Sequence, residues 1–268
     1  MADLRALLPA LCLACSAARA DQPLWEAGIG LAALQLPHYR GSDQSRAWLL
    51  PLPYFVYRGD IIKADREGAR ARLVDAERFV LDFSLAASAP TDSRDNQARR
   101  GMPDLAPTLE FGPNMSLLLG RGPQWKVELR APLRGAVTLQ SKPELIGWIA
   151  TPNLNLDLKL GGWNFGVFGG PVLASRGHNG TFYDVAPAYA TPTRPIYRAA
   201  GGAAGWQLTS GVSRRFGDLW VGAFVKADTL AGAGFVDSPL VRQRQTVAFG
   251  VALSWIFAAS DRRVPGED

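Results

Sequence analysis

Along much of the chain, apolar residues recur at every second position. Residues 153–160 read Asn-Leu-Asn-Leu-Asp-Leu-Lys-Leu, which puts Leu154, Leu156, Leu158 and Leu160 on one face and Asn153, Asn155, Asp157 and Lys159 on the other. A strand sends alternate side chains to opposite faces, whereas a helix would scatter these leucines around its circumference. Trp125, Val127, Leu129, Ala131 and Leu133 likewise oppose Lys126, Glu128, Arg130 and Arg134, and Phe79, Leu81, Phe83 and Leu85 alternate with Asp82 and Ser84. Near the C-terminus Val247, Phe249, Val251, Leu253, Trp255 and Phe257 alternate with Thr246, Ala248, Gly250, Ala252 and Ser254. Further strands are predicted over 25–36, 48–57, 61–65, 69–74, 107–119, 163–174, 206–216 and 219–229. Short Gly-containing connections such as Arg58-Gly59-Asp60, Gly161-Gly162 and Phe216-Gly217-Asp218 separate them. The pattern is one antiparallel meander, with longer surface loops expected over 89–106, 176–204 and 232–244.

Two all-β architectures accept such strands: a water-soluble sandwich or barrel, and a transmembrane antiparallel β-barrel. The face opposite the apolar one decides between them. Here it mixes Gly, Ser, Asn and Ala with opposite charges close together, as in Lys126-x-Glu128-x-Arg130, which suits a lumen better than a solvated exterior. All eight tryptophans, Trp25, Trp48, Trp125, Trp148, Trp163, Trp206, Trp220 and Trp255, lie near predicted strand ends, where an aromatic girdle meets the lipid headgroups. At roughly 20 residues per strand and turn, the barrel is expected to have about 12 strands, with about 10 as the alternative. Composition agrees: the 268 residues are 47% apolar, yet beyond the N-terminus no apolar run is long enough for a transmembrane helix, and 28 Gly and 19 Pro would interrupt helices throughout.

Residues 4–18 are apolar apart from Arg5 and Pro9 and end in Ala18-Arg19-Ala20, so 1–20 reads as a secretory signal peptide and 21–268 as a single barrel. Both cysteines, Cys12 and Cys15, fall within that leader, leaving no disulfide framework in the remainder. The net charge of +5 is too mild and too evenly mixed to indicate nucleic-acid binding. Phe257 suits the aromatic end of a last barrel strand, and residues 258–268 read as a short polar tail.

Several ordered motifs are recognisable. His38-Tyr39-Arg40-Gly41-Ser42-Asp43, Pro51-Leu52-Pro53-Tyr54, Tyr57-Arg58-Gly59-Asp60, Ala64-Asp65-Arg66-Glu67-Gly68, Ala98-Arg99-Arg100-Gly101-Met102-Pro103-Asp104 and the Pro-Thr-Leu-Glu-x-Gly-Pro run over 107–113 together resemble the MipA/OmpV family of outer-membrane proteins. The resemblance covers most of the chain beyond the leader and is strongest over 38–113. It implies an outer-membrane β-barrel in a Gram-negative bacterium, without known catalysis. It also implies a scaffold whose partners are a lytic murein transglycosylase and a penicillin-binding protein. Other members are described as porin-like, so a small solute channel is the alternative role.

Arg40, Asp43, Arg58, Asp60, Asp65, Arg66 and Glu67 form the densest charge group in the sequence. It reads as a docking surface or lumen constriction, or as mutually paired charges filling a narrow barrel. Lys126, Glu128, Arg130, Asn153, Asn155, Asp157 and Lys159 are the expected lumen lining. A hydrolase is the weakest alternative: His38, Ser42 and Asp43 supply the residue types of a nucleophile, base and orienter, but their spacing indicates no such contact. Two separated histidines make no zinc site, and Asp92, Asp95 and Asp104 read as solvated loop carboxylates. Gly28-x-Gly30 and Gly161-Gly162 lack the strand-to-helix context of a phosphate loop, so no cofactor is predicted.

Overall fold

The alternation becomes a wall of antiparallel strands. The computed structural model describes residues 22–58, 62–65, 68–71, 74–76 and 78–264, with backbone alone over 62–76. The expected leader, 1–20, lies outside the described residues, as do Asp60, Arg66 and Glu67. The strands are β1 (Gln22–Pro23), β2 (Trp25–Pro37), β3 (Ser45–Arg58), β4 (Ile62–Asp65), β5 (Gly68–Ala71), β6 (Val74–Ala76), β7 (Phe79–Ser88) and β8 (Thr108–Gly122). They continue with β9 (Trp125–Thr138), β10 (Leu145–Ala150), β11 (Asn153–Leu160), β12 (Trp163–Ala174), β13 (Gly202–Phe216), β14 (Leu219–Thr229), β15 (Gln245–Ala259) and β16 (Arg263–Val264). Among the described residues one α-helix, α1 (Arg176–Tyr183), sits in the loop after β12.

Each long strand pairs antiparallel with its sequence neighbour, and β15 returns to β2, which turns the sheet into a ring. Fourteen strands belong to this sheet. β10 and β11 share the same two neighbours, β9 and β12, so they are two pieces of one stave broken at Thr151-Pro152. β5 pairs with β4, and β6, two residues further along the chain, pairs with β7. Among the described residues eleven strands of this sheet have six residues or more, β2, β3 and β7 to β15, with the short β4, β5 and β6 between β3 and β7. β10 is not among the predicted strands, because Leu-Ile-Gly-Trp-Ile-Ala has no period of two and Gly147 introduces a bulge opposite Ala136. The expected polar tail is ordered as far as Val264: β16 pairs with β1, and Leu24 N–H donates to the Arg262 carbonyl (2.8 Å).

Polarity across the wall is inverted relative to a water-soluble protein. On β15, Val247, Phe249, Val251, Leu253, Trp255 and Phe257 are exposed, whereas Thr246, Ala248 and Ser254 between them are buried. The register carries this division round the ring, so that Glu26, Asp82, Asn114, Ser116, Asn153 and Asn155 point inward and are buried. Leu31, Phe83, Phe111, Leu129, Leu154 and Leu208 point outward and are exposed. Small and polar residues fit the narrow interior, and the apolar exterior is what a bilayer solvates.

The ring is not equally closed at every height. From Ser45 to Val56, β3 pairs with β2 alone, and only Tyr57 and Arg58 reach β4. β7 meets β6 at Phe79 to Leu81, while Asp82 to Ser88 pair with β8 alone. Among the described residues this leaves two facing strand edges above the short β4–β5 hairpin. Pro51 and Pro53 lie on the β3 edge, and a residue without an N–H suits a strand with one partner.

The lipid-facing assignment makes a direct prediction. Val251→Arg, at the middle of β15, is expected to cost about 2–4 kcal/mol, while Ala252→Ser on the inner face is expected to be nearly neutral. Urea titration of the folded band on unheated gels measures both, and an equal effect of the two substitutions would contradict the assignment.

Candidate functional site

The two ends of the barrel differ. One carries the short turns together with β1 and β16, and the other carries the long loops 38–44, 89–107, 139–144, 175–201 and 230–244. Four of them, all but the exposed 139–144, build a core of their own. Tyr39, Leu105, Tyr183, Ala199, Leu230 and Phe235 pack against Ile149, Val172 and Ala174 from the strand ends, with Phe235 fully buried. The Tyr183 and Phe235 rings stack at 3.8 Å between centroids, and Tyr39 meets Tyr183 edge-on at 6.1 Å. Burying each large apolar side chain of this kind contributes about 1.5–3 kcal/mol, enough to hold the loops together as a cap.

Hydrogen bonds fix how the loops meet. The fully buried Asn96 donates from Nδ2 to His38 Nδ1 (3.1 Å) and to Ser42 Oγ (3.1 Å), joining the second loop to the first. Arg99 donates to the carbonyls of Pro103 and Phe182, and Arg194 to those of Ala98 and Arg100, joining the second loop to the fourth. Tyr183 Oη donates to the Arg40 carbonyl (2.7 Å), Tyr39 Oη to that of Leu240 (2.8 Å), and the Arg40 guanidinium reaches Asp228 of β14 at 2.9 Å. Gly41 turns the first loop with φ +90°, and a Cβ there would lie 2.7 Å from Leu230 Cδ1. Its carbonyl accepts from the N–H groups of Arg242 and Gln243.

Burial pushes the Tyr39 phenol up to about 12 and the Tyr183 phenol further up, so both stay protonated donors. Burial also lowers both histidines from their ordinary 6.5. Asp95 opposes and Arg46 reinforces this at His38, while Glu110 opposes and Arg40 reinforces it at His178. An unprotonated Nδ1 on His38 is also what the Asn96 donor requires.

Below the cap, the expected lumen residues come together on the inner faces of β9 and β11. Asp157 is opposite Lys126, Asn155 opposite Glu128, and Asn153 opposite Arg130. Glu128 lies 2.7 Å from Arg130 and 3.3 Å from Lys126, and Asp157 is 3.7 Å and 3.8 Å from the same two cations. Asn155 Nδ2 donates to Asp157 Oδ2 (2.8 Å), and Asn153 Nδ2 to the Thr151 carbonyl (2.8 Å). Lys159 lies further along, at the short-turn end of β11. A cavity of about 570 Å³ occupies the lumen at that end.

The charge group expected over 40–67 is distributed between the two ends. Arg40 and Asp43 belong to the cap, with Asp43 3.8 Å from Arg242. Arg58 lies at the short-turn end, where its guanidinium meets Glu26 at 2.8 Å. Of Asp65 only the backbone is described, and Asp60, Arg66 and Glu67 lie outside the described residues. Glu26 is fully buried and also bonded to Arg215, so it joins β2, β3 and β13. Sequence reasoning missed Glu26, Asp228 and Asn96. A signal for the cap was present in Phe182, Tyr183, Leu230, Phe235 and Leu240, apolar residues that a solvated loop does not need.

Six tryptophans sit on the outer face near the strand ends: Trp25, Trp125, Trp163 and Trp255 at the short turns, and Trp148 and Trp206 at the loops. Arg214 lies over Trp163 (5.4 Å) and Phe216 (4.8 Å), as a side chain at the headgroup level does. Trp48 and Trp220 instead take inward registers. Trp220 is buried against Tyr54, at 6.2 Å. Of the imagined catalytic set, His38 and Ser42 each bond to Asn96, whose amide lies between them. Asp92 binds Arg94, Asp104 accepts from Ser93 N–H, and Asp95 pairs with Arg46.

Two outcomes test the cap. Phe235→Ala is expected to remove about 3–5 kcal/mol of loop packing and expose 230–244 to protease, while the heat-dependent gel shift of the barrel persists. Freed loops take up protons on His38 and His178 near 6.5, and the packed loops resist until lower pH. Stability of the cap is therefore lost as pH falls below the ordinary value, and limited proteolysis is expected to cut these loops faster at about pH 5 than at about pH 7.5.

The family description "MltA-interacting protein MipA" matches residues 29–257. No curated protein sequence matches the chain. Among solved structures, a bacterial polysaccharide outer membrane secretin is similar at 9% identity and a TM-score of 0.45, over 87% of this chain and 99% of that one. An outer membrane channel from Pseudomonas putida F1 is similar at 12% identity and a TM-score of 0.42, over 87% and 96%. With its lipid-facing belt, lumen and family match across the whole ring, the protein is a Gram-negative outer-membrane β-barrel belonging to the MipA, or MltA-interacting protein, family.

Proposed function

We propose that this barrel is a membrane anchor for murein-remodelling enzymes and not an open pore. The observation that carries the reading is the cap: four of the long loops share one packed core at one end of the barrel, which supports a closed mouth. In outer-membrane barrels the long loops are extracellular and the short turns periplasmic. On that orientation the face offered to the periplasm is the short-turn rim. Its exposed described residues include Arg78, Lys159, Arg215, Arg262 and Arg263 against Asp218 and Asp261. An excess of cations on one face steers an acidic partner surface towards it.

The family description names an interaction with MltA, and the proposed partner is accordingly a lytic murein transglycosylase. A penicillin-binding protein is the proposed second member of the assembly, which would couple murein cleavage to synthesis. The reading assigns the barrel no catalytic step. A porin-like role is the second reading, and the 570 Å³ cavity with its charged lining is the observation that favours it.

Planar-bilayer recording and affinity capture separate the two. The anchor is expected to give no steady single-channel conductance and to retain the transglycosylase on a column. Arg78→Glu, Arg262→Glu and Arg263→Glu combined are expected to weaken retention about tenfold, or about 1.4 kcal/mol. A stable channel from a barrel that retains no transglycosylase would replace this reading with the pore.

A further inference from the structure

The inner wall of the barrel is polar on one side and, between Glu26 and Arg58 at the short-turn end and Lys226 and Asp228 near the loops, mostly apolar on the other. Going round from β7 to β11 it carries Asp82, Asn114, Arg130, Glu128, Lys126 and Asp157. From β14 through β15 and β2 to β3 it carries Trp220, Phe224, Ala252, Leu34, Leu52 and Val56. The cavity lies where the two halves face each other. Among the described residues its charged lining is Arg58, Arg121, Lys126, Lys159 and Asp157, with Arg58 also paired to Glu26 and Lys126 to Glu128, and its apolar lining includes Leu34, Val56, Trp220 and Phe224.

Glycines shape the apolar side. A Cβ on Gly222 would lie 2.4 Å from the Trp220 ring, and one on Gly250 would lie 2.5 Å from Leu34 and 2.7 Å from Phe224. The large side chains thus lean across bare backbone. The cavity's 570 Å³ falls within the roughly 300–1,000 Å³ typical of small-molecule sites.

The geometry points to this cavity as a binding site for a single-chain anionic amphiphile, with its head among the four cations and its tail along Leu34, Val56 and Phe224. A fully polar solute would leave the apolar wall in water, and a fully apolar one would strip hydration from the charges without replacing it. An amphiphile meets both walls at once. The source is the surrounding bilayer. Trp48, Leu50 and Leu52 carry the apolar inner surface along β3 to the edge that has no second strand partner among the described residues. That edge adjoins the lipid-facing Leu49 and Phe55 on the same strand, so the lipid face and the apolar inner face of β3 meet there.

The test uses the full barrel in lipid nanodiscs and dodecanoate as probe, with dodecan-1-ol and dodecyltrimethylammonium as controls of equal chain length. Native mass spectrometry is expected to show one saturable dodecanoate per barrel, with both controls at least about tenfold weaker. Arg121→Glu combined with Lys159→Glu, and separately Leu34→Asp, are each expected to weaken dodecanoate binding about tenfold, with the heat-dependent gel shift confirming folding. Non-saturable uptake, equal binding of all three probes, or unchanged binding in both variants would overturn the site. Partner retention at the rim is a separate readout, so this inference and the anchor reading can fail independently.

Discussion

A backbone in hydrocarbon has no water to bond to, so the N–H and C=O groups of this wall are met by the next strand, although among the described residues the facing edges of β3 and β7 have no such partner along part of their length. The pairing of β15 with β2, from Phe249 opposite Gln35 to Ala259 opposite Glu26, is the interaction on which the ring depends, because it joins the last long strand to the first. Once the ring exists, one strand face must meet lipid and the other must fill a narrow interior. Glu26 stands at this seam. Its carboxylate is bonded to Arg58 of the next strand and to Arg215 of β13, so the closing strand is also tied across the lumen. A carboxylate removed from water to this degree is tolerated because two guanidinium groups replace its hydration.

The cap follows a different logic. Around the wall the apolar side chains face outward and their solvent is the bilayer, but in the loops they face one another, as in a small water-soluble domain. Phe235, Leu230 and Leu240 are buried by protein alone. The loop end thus has a conventional core set on an inverted one, and Arg40 with Asp228 pins the first to the second. The result is an asymmetric vessel, packed at one mouth and holding a cavity towards the other.

The strands were legible because each face has a uniform environment along its length, which writes a period of two into residues such as 125–134, 153–160 and 247–257. Pairwise proximity was less legible. Arg40 and Arg58 sit close together in sequence, but β3 between them has 14 residues, and at about 3.3 Å per residue it carries them on the order of 45 Å apart. A dense charge group in sequence therefore became two separate networks. Trp48 and Trp220 lie near strand ends like the other tryptophans, and only register shows that they face inward. Asn96 lies in the family-like stretch 92–104, but its bonding role was not legible, since it depends on two loops meeting. The family resemblance over 38–113 did indicate where the chain resides.

The two prolines on β3 have a consequence for crowding. A strand edge with a full row of donors invites another strand, and in a membrane dense with barrels the nearest one is on a neighbouring copy. Pro51 and Pro53 remove donors two residues apart, so a second barrel arriving edge to edge would find an interrupted ladder. Among the described residues, the β3 edge is therefore a poor seam along which barrels could zip together.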